Sequence, residues 1–353
     1  MKIGIDVRKI NDYGIGAHIR NVVLAAAIAE PRHRYVLYYD PSNTLVKNPA
    51  FEWVPERAGK YSVLEHFSLA EKAQRSGVSF FHSPHYTLPL ALSCRSLITV
   101  HDLIHLKYKE YFPWWKVQAA RLLIKKATAK ADVIVTVSET TKQDLLDWIP
   151  SLEERIEVIY NRLSDEWFQP EQTVDLENLG IQEPYLLYAG NFKKHKGIDT
   201  LIRAYRNGRD LPSLVLVGKG NEMDHDLGEK ILTTPGARLL GFSGMNCLRK
   251  IYSRALLFVF PSLYEGFGYP PLEAMACGAP VLCGDAPALK EVLGGAAEFF
   301  ERGNAEHLLE KLKELISDSK KRETMSVEGR RRARLFATNE APQKLIKIYE
   351  RFS

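Results

Sequence analysis

The chain has 353 residues, 45% hydrophobic and 26% charged, with 48 basic against 43 acidic side chains for a net charge of +5. That length accommodates two ordinary domains, the composition is that of a globular protein, and the near balance of charge gives no reason to invoke nucleic acid. Cys94, Cys247, Cys277 and Cys283 lack paired metal-ligand spacing and read as reduced thiols, no apolar run approaches the roughly 18 residues of a membrane span, and MKIGIDVRKI lacks a signal-peptide core; a cytoplasmic location is the expectation.

The first element read from the pattern is a short apolar strand at residues 2–7. A loop with Gly14 and Gly16 follows, then a helical pattern at 17–28. A strand, a glycine loop and a helix can accept phosphate, although tight packing explains such glycines equally well. Strands at 35–39 and 78–82 flank a polar turn region at 40–48 and a helix at 61–75. The loop SPHYTLPL after the second strand adds His85 to His82, without the cysteine or carboxylate partners that a metal site needs.

Residues 96–100 form another buried-type strand that ends in His101-Asp102. Ligands of open α/β sheets bind beyond the carboxyl ends of strands, so chemistry is expected there; a satisfied core histidine is the competing reading. Residues 114–130 read as a basic helix, with Lys116, Arg121, Lys125, Lys126 and Lys130 among apolar positions. Such a helix either lies on an anionic membrane or is a surface helix with one apolar face in the core. Strands at 131–138 and 156–160 close the first block, with Ser138 placed to cap a helix.

A polar, proline-containing stretch at 163–183 separates the two apolar blocks, and the strand–helix alternation restarts at Tyr185. Tyr185 opens the segment YLLYAGNFKKHKGIDTLIRAY, whose loop carries Asn191, Lys193, Lys194, His195 and Lys196. Lysines in a loop beyond a strand end suit a phosphate that leaves with growing negative charge, while a solvated charge run is the plain alternative. Strands are read at 214–217 and 238–242, the latter containing Gly241 and Phe242.

The most informative stretch is PSLYEGFGYPPLEAMACGAPVL, residues 261–282. A strand at 256–260 leads into a loop with Glu265, Gly266, Phe267 and Gly268. Pro270 and Pro271 then start a helix, and Gly278 with Pro280 stops it. Glu273 is placed in the first helical turn. The glycines leave backbone N–H groups uncovered for a polar ligand, and the two carboxylates accept hydrogen bonds from hydroxyls. Amphipathic helices at 306–316 and 341–352 end the chain.

The pair Glu265 and Glu273 in this context resembles the signature of the retaining glycosyltransferases of family 4. SLITVHDLIHLKYKEYFP and YLLYAGNFKKHKGIDTLIRAY resemble two further segments of that family. The resemblance implies an α/β chain of GT-B type, two Rossmann-like domains facing each other across a cleft. It implies an N-terminal acceptor domain at 1–165, a nucleotide-sugar donor domain at 166–338, and a last helix at 339–353 packed back on the first. By the same resemblance, His101, Glu265 and Lys196 are catalytic. Gly14, Gly16, Asp102, Asn191, Lys193, Lys194, Gly241, Phe242, Gly266, Phe267, Gly268 and Glu273 would bind the donor, with Glu273 on the ribose hydroxyls. The arginine that relatives pair with the loop lysine is missing, since Asn191 or His195 occupies the candidate positions, and Lys193 or Lys194 is the expected replacement.

The implied enzyme is metal-independent and needs no cofactor beyond its donor. The His-Asp segment looks most like bacterial mannosyltransferases of polysaccharide assembly, so GDP-mannose is the first expectation and a UDP-sugar the second. The acceptor is a glycan or lipid-linked hydroxyl, with peripheral membrane contact through 114–130. A nicotinamide oxidoreductase would need a third glycine at position 19, where Ile19 stands, and a non-catalytic binding module would leave the paired glutamates unexplained.

Overall fold

The computed structural model describes residues 1–353 except 31, 44, 170–174, 219–222 and 242–243; for Tyr13 and Val63 only the backbone is described. The chain divides into two units, Met1–Arg162 with Thr338–Ser353, and Leu163–Ala337.

Unit 1 is built on a seven-stranded parallel sheet. Its strands are β1 (Lys2–Asp6), β2 (Arg34–Tyr39), β3 (Glu52–Pro55), β4 (Phe80–Ser83), β5 (Arg95–Val100), β6 (Val133–Thr136) and β7 (Ile156–Val158), in the order β3-β2-β1-β4-β5-β6-β7. The sheet is covered on both faces, so its central strands are apolar runs rather than alternating ones. One core joins Ile3, Ile5 and Phe80 to Val22, Ala25 and Ala26 of α1 (Tyr13–Ala29) and to Leu345 and Tyr349 of a C-terminal helix. The other joins Val36, Phe81 and Ile98 to α2 (Val63–Arg75), α4 (Trp114–Lys130) and α5 (Glu139–Trp148); a short α3 (Ile104–Lys107) precedes α4. Edge strand β3 was not anticipated: EWVP is short, ends in proline and is only partly buried.

Unit 2 repeats the plan with six parallel strands in the order β10-β9-β8-β11-β12-β13. These are β8 (Tyr185–Ala189), β9 (Ser213–Val217), β10 (Ala237–Leu240), β11 (Leu257–Phe260), β12 (Val281–Gly284) and β13 (Glu298–Phe300). The connecting helices are α6 (Ile198–Asn207), α7 (His225–Leu232), α8 (Met245–Arg254), α9 (Tyr269–Cys277) and α10 (Pro287–Leu293), followed by α11 (Ala305–Ser317) and α12 (Ser319–Leu335). Helix α13 (Glu340–Glu350) belongs to unit 1, where Tyr349 is fully buried and its hydroxyl meets His82 Nδ1 at 2.7 Å. Burying such side chains contributes about 1.5–3 kcal/mol each before entropy, enough to hold this helix to the first unit's sheet.

In both sheets the chain winds outward on one side of its first strand and then returns to the other side. β1 pairs with both β2 and β4, and β8 with both β9 and β11. The loops that leave β1 and β4, and those that leave β8 and β11, therefore diverge at a topological switch point, where open sheets of this kind receive ligands.

Candidate active site

In unit 2 the loops after β8 and β11 are pressed together. Gly197 makes this contact feasible: its φ is +66°, and a Cβ there would lie 2.1 Å from the Pro261 carbonyl oxygen. The Leu263 amide donates to the His195 carbonyl at 2.8 Å. This docking brings Lys196 Nζ to 2.6 Å from Glu265 Oε1, with each side chain only 12% exposed. Ser262 Oγ donates to the same oxygen at 2.7 Å. Among the described residues Glu265 Oε2 takes no hydrogen bond, so the carboxylate is oriented by one oxygen and open at the other. A mostly buried pair of this kind adds little net stability, because desolvation offsets most of the attraction. Its usable property is a cation and an anion held side by side.

Around the pair, Asn191 shapes the β8 loop by accepting the Lys193 amide at 3.3 Å through Oδ1, and Lys193 and Lys194 are exposed. Phe267 is 4% exposed, edge-on to Tyr269 and Phe336, so its ring anchors the loop and only its backbone faces outward chemistry. Gly268 has φ +102° and caps α9. Pro270 and Pro271 lie in the first turn of α9 and carry no N–H, which leaves the amides of residues 266–269 as the donors at that helix start.

Glu273 corrects the sequence reading. Helix α9 begins at Tyr269, one residue before the prolines, so Glu273 stands in the second turn. It is partly buried and receives the Tyr252 hydroxyl at 3.4 Å on Oε2. Gly241 is exposed after β10, whereas Phe242 lies outside the described residues.

In unit 1, Gly14 and Gly16 also differ from the expectation. They lie inside the first turns of α1, which starts at Tyr13 rather than at Ala17. Gly16 is required by packing, since a Cβ would approach the Ile10 carbonyl oxygen to 2.3 Å, a contact that sequence pattern alone does not reveal. Asp102 accepts the Ile104 amide at 3.0 Å and so starts α3.

His101, just beyond β5, donates through Nε2 to the Pro84 carbonyl at 2.9 Å. A carbonyl only accepts, so the ring carries its proton on Nε2 and presents a bare Nδ1. Edge-on at 4.8 Å stands His18 from α1, which the sequence reading did not select. His18 is tied by Nδ1 to Asn161 Oδ1 at 2.8 Å and by Nε2 to the Thr99 hydroxyl at 3.1 Å. Burial pushes the His101 imidazole down to about 4 and His18 down to about 3, so both are neutral at physiological pH. A lone histidine in an apolar helix was the only signal for His18. Its partners come from sequence positions 81 and 143 residues away.

Two doubly wound parallel sheets, with an acid–base pair at one switch point and neutral imidazoles at strand ends in the other, define an α/β transferase of the GT-B class. Comparison with known proteins gives the family. The description "Glycosyltransferase Family 4" matches residues 14–166, and "Glycosyl transferases group 1" matches residues 172–332. The chain is 28% identical over 281 residues to O-antigen chain mannosyltransferase B of Escherichia coli, covering 76% of this chain and 74% of the relative. It is 30% identical over 218 residues to O-antigen chain mannosyltransferase RfbU of Salmonella typhimurium, covering 60% and 58%. The fold is shared with sucrose-phosphate synthase from Thermosynechococcus elongatus (TM-score 0.83, 21% identity, 99% of this chain and 98% of that one). It is also shared with HepE from Anabaena (TM-score 0.81, 18% identity, 99% of each). The chain belongs to this glycosyltransferase family and is an enzyme that transfers a sugar.

Proposed function

We propose that the protein is a retaining, metal-independent hexosyltransferase that moves mannose from GDP-mannose to a hydroxyl of a glycan or lipid-linked acceptor. The observation that carries this reading is the Lys196–Glu265 pair at the switch point of unit 2. A nucleotide-sugar presents hydroxyls and a diphosphate a few ångströms apart. Lys196 suits the phosphate, with Lys193, Lys194, Asn191 and the amides of Gly266, Phe267 and Gly268 around it, and Glu265 suits the sugar hydroxyls. Charge that builds on the departing diphosphate is met by this cation and these dipoles, which do the work of a metal ion; positioned donors of this type contribute about 10²–10³ in rate each. Glu273 is assigned to the ribose, and Gly14, Gly16, His101 and Asp102 to the donor's sugar end. A neutral His101 with a bare Nδ1 accepts from a hydroxyl rather than pairing with phosphate. The named activity of the mannosyltransferase relatives favours mannose as the sugar, and a UDP-sugar is the second donor reading.

The surface of α4 favours a membrane-borne acceptor. Among its exposed residues Trp114 (77%), Trp115 (56%) and Leu122 (53%) accompany Lys116, Lys125 and Lys126, and the helix has no acidic residue. Apolar rings flanked by lysines suit the headgroup layer of an anionic bilayer, and no helix of the described residues is long and apolar enough to cross it.

The direct test is a panel of nucleotide-sugars read by thermal shift and by slow donor hydrolysis. GDP-mannose is expected to raise Tm and to be hydrolysed; a panel in which no nucleotide-sugar stabilises the protein would overturn the reading. Cosedimentation with anionic vesicles that is unchanged in Trp115→Ser/Leu122→Ser would remove the membrane part alone.

A further inference from the structure

The switch point of unit 1, between the loops that leave β1 and β4, holds a cluster that the donor reading does not use. Lys9, from the β1 loop, is 4% exposed, and its Nζ lies 3.1 Å from His85 Nδ1 in the β4 loop. An ammonium has only protons to give, so His85 accepts at Nδ1 and carries its own proton on Nε2. Among the described residues that Nε2–H has no acceptor. His101, whose Nδ1 is an acceptor, is the neighbouring imidazole, with ring centroids 6.1 Å apart. A buried N–H donor left open at a sheet's switch point, beside the site that His101 serves, suits a hydroxyl of a second sugar.

Above them sits Tyr61. Lys9 Nζ lies 3.9 Å from the centre of its ring, a cation–π contact worth about 0.5–2 kcal/mol, and the ring also stands 5.8 Å from His85. The residue is 52% exposed, so the aromatic surface not covered by Lys9 meets solvent. Its φ of +65° is a left-handed conformation that costs a side-chain-bearing residue roughly 1 kcal/mol or more. Two features hold it there. Its amide donates to Glu65 Oε2 at 2.6 Å, and Glu65 is anchored by buried Arg8 at 3.1 Å. Arg8 also grips Asp6 and the Ala58 carbonyl, which fastens residues 56–62 onto the β1 loop. An exposed aromatic ring is thus maintained in a strained backbone, over a polar floor, at the place where the sheet topology expects a ligand.

We propose that Tyr61, His85 and Lys9 form the seat for the acceptor's sugar. A pyranose ring stacks on Tyr61, a hydroxyl accepts from His85 Nε2–H, and Lys9 acts as a positioning residue that fixes the His85 tautomer and the Tyr61 ring. The ligand class is a neutral glycoside, because the two cations of the cluster, Arg8 and Lys9, are already balanced by Asp6 and Glu65. This rests on the reading above that a sugar is delivered to a glycan hydroxyl.

Saturation-transfer NMR with methyl α-D-mannopyranoside tests it. The wild type is expected to saturate the pyranose protons. Tyr61→Gly and His85→Phe should weaken binding at least tenfold, whereas His85→Gln, which keeps an N–H donor, should recover part of it. Glycine suits the positive φ, so Tyr61→Gly should melt no lower than wild type, which separates loss of the ring from loss of fold. No saturation in the wild type, or unchanged binding in both Tyr61→Gly and His85→Phe, overturns the proposal. GDP and GDP-mannose binding measured on the same wild-type samples keeps the two readings apart: nucleotide binding without the mannoside counts against this seat alone, and mannoside binding without nucleotide counts against the donor assignment alone.

Discussion

The two switch points use opposite electrostatics on the same scaffold. In unit 2, charges are kept: Lys196 and Glu265 remain paired and partly accessible. In unit 1, they are cancelled or suppressed. Arg8 is consumed by Asp6 and Glu65, and burial holds His18, His82, His85 and His101 neutral. A phosphate leaving group needs a cation that stays charged. A hydroxyl needs donors and acceptors of fixed direction, and neutral imidazoles with assigned tautomers supply them at lower desolvation cost. The proposed function uses this difference, with the phosphate placed on unit 2 and hydroxyl recognition on unit 1.

The comparison breaks most readily at the charged pair. Lys196→Ala should lower kcat by about 10²–10³, because it removes a donor aimed at developing charge and leaves Glu265 without its cation. Glu265→Gln should fall in the same range. Steady-state transfer rates within a factor of three of wild type in both variants would show that the pair is structural.

A smaller contrast separates His101 from Glu273. In the proposed function each offers a hydrogen bond to a hydroxyl, and bonds to charged groups are worth about 1.5–3 kcal/mol against about 1 kcal/mol for neutral ones. Glu273→Ala should therefore weaken GDP binding by about tenfold or more in calorimetry. His101→Ala should lower kcat by roughly tenfold with nucleotide affinity intact. The reverse split, with GDP affinity lost in His101→Ala, would exchange their assignments.

The mildest effect concerns pH. A histidine whose folded pKa lies below the unfolded value of about 6.5 binds fewer protons when native, so the stability it contributes is present above pH 6.5 and is lost as pH falls toward the folded value. With His101 near 4 and His18 near 3, the melting temperature of unit 1 should begin to fall below about pH 6.5 and keep falling to pH 4. In His18→Gln that slope should flatten. An acid limb of identical slope in wild type and variant would place the acid sensitivity elsewhere.

The fold class was legible because both sheets are covered on each face, so their central strands print themselves as apolar runs such as YLLYA and LFVF separated by helical periods. Glu265 and Lys196 were legible as well, since each follows a buried strand directly and the glycine and proline punctuation around them is local. The exact start of α9 was not. It depends on Gly268 adopting φ +102°, which starts the helix one residue earlier and moves Glu273 from its first turn into its second. Nor were the contacts of His18, Lys9 or Tyr61, whose partners lie far away in sequence.

By itself, then, the sequence determined the strands of both sheets other than the edge strands β3 and β13, the loops that follow them, and that Glu265 and Lys196 stand in loops beyond strand ends. These properties follow from periodicity and chain punctuation, which act over a few residues. Only the tertiary structure decided that Lys196 meets Glu265, that Lys9 meets His85, and which nitrogen of His101 carries the proton. Those depend on strand order and on the close approach permitted at Gly197 and Gly16, where the missing Cβ lets two backbones touch. Strand order is set by which apolar faces can be buried together, a property of the whole sheet.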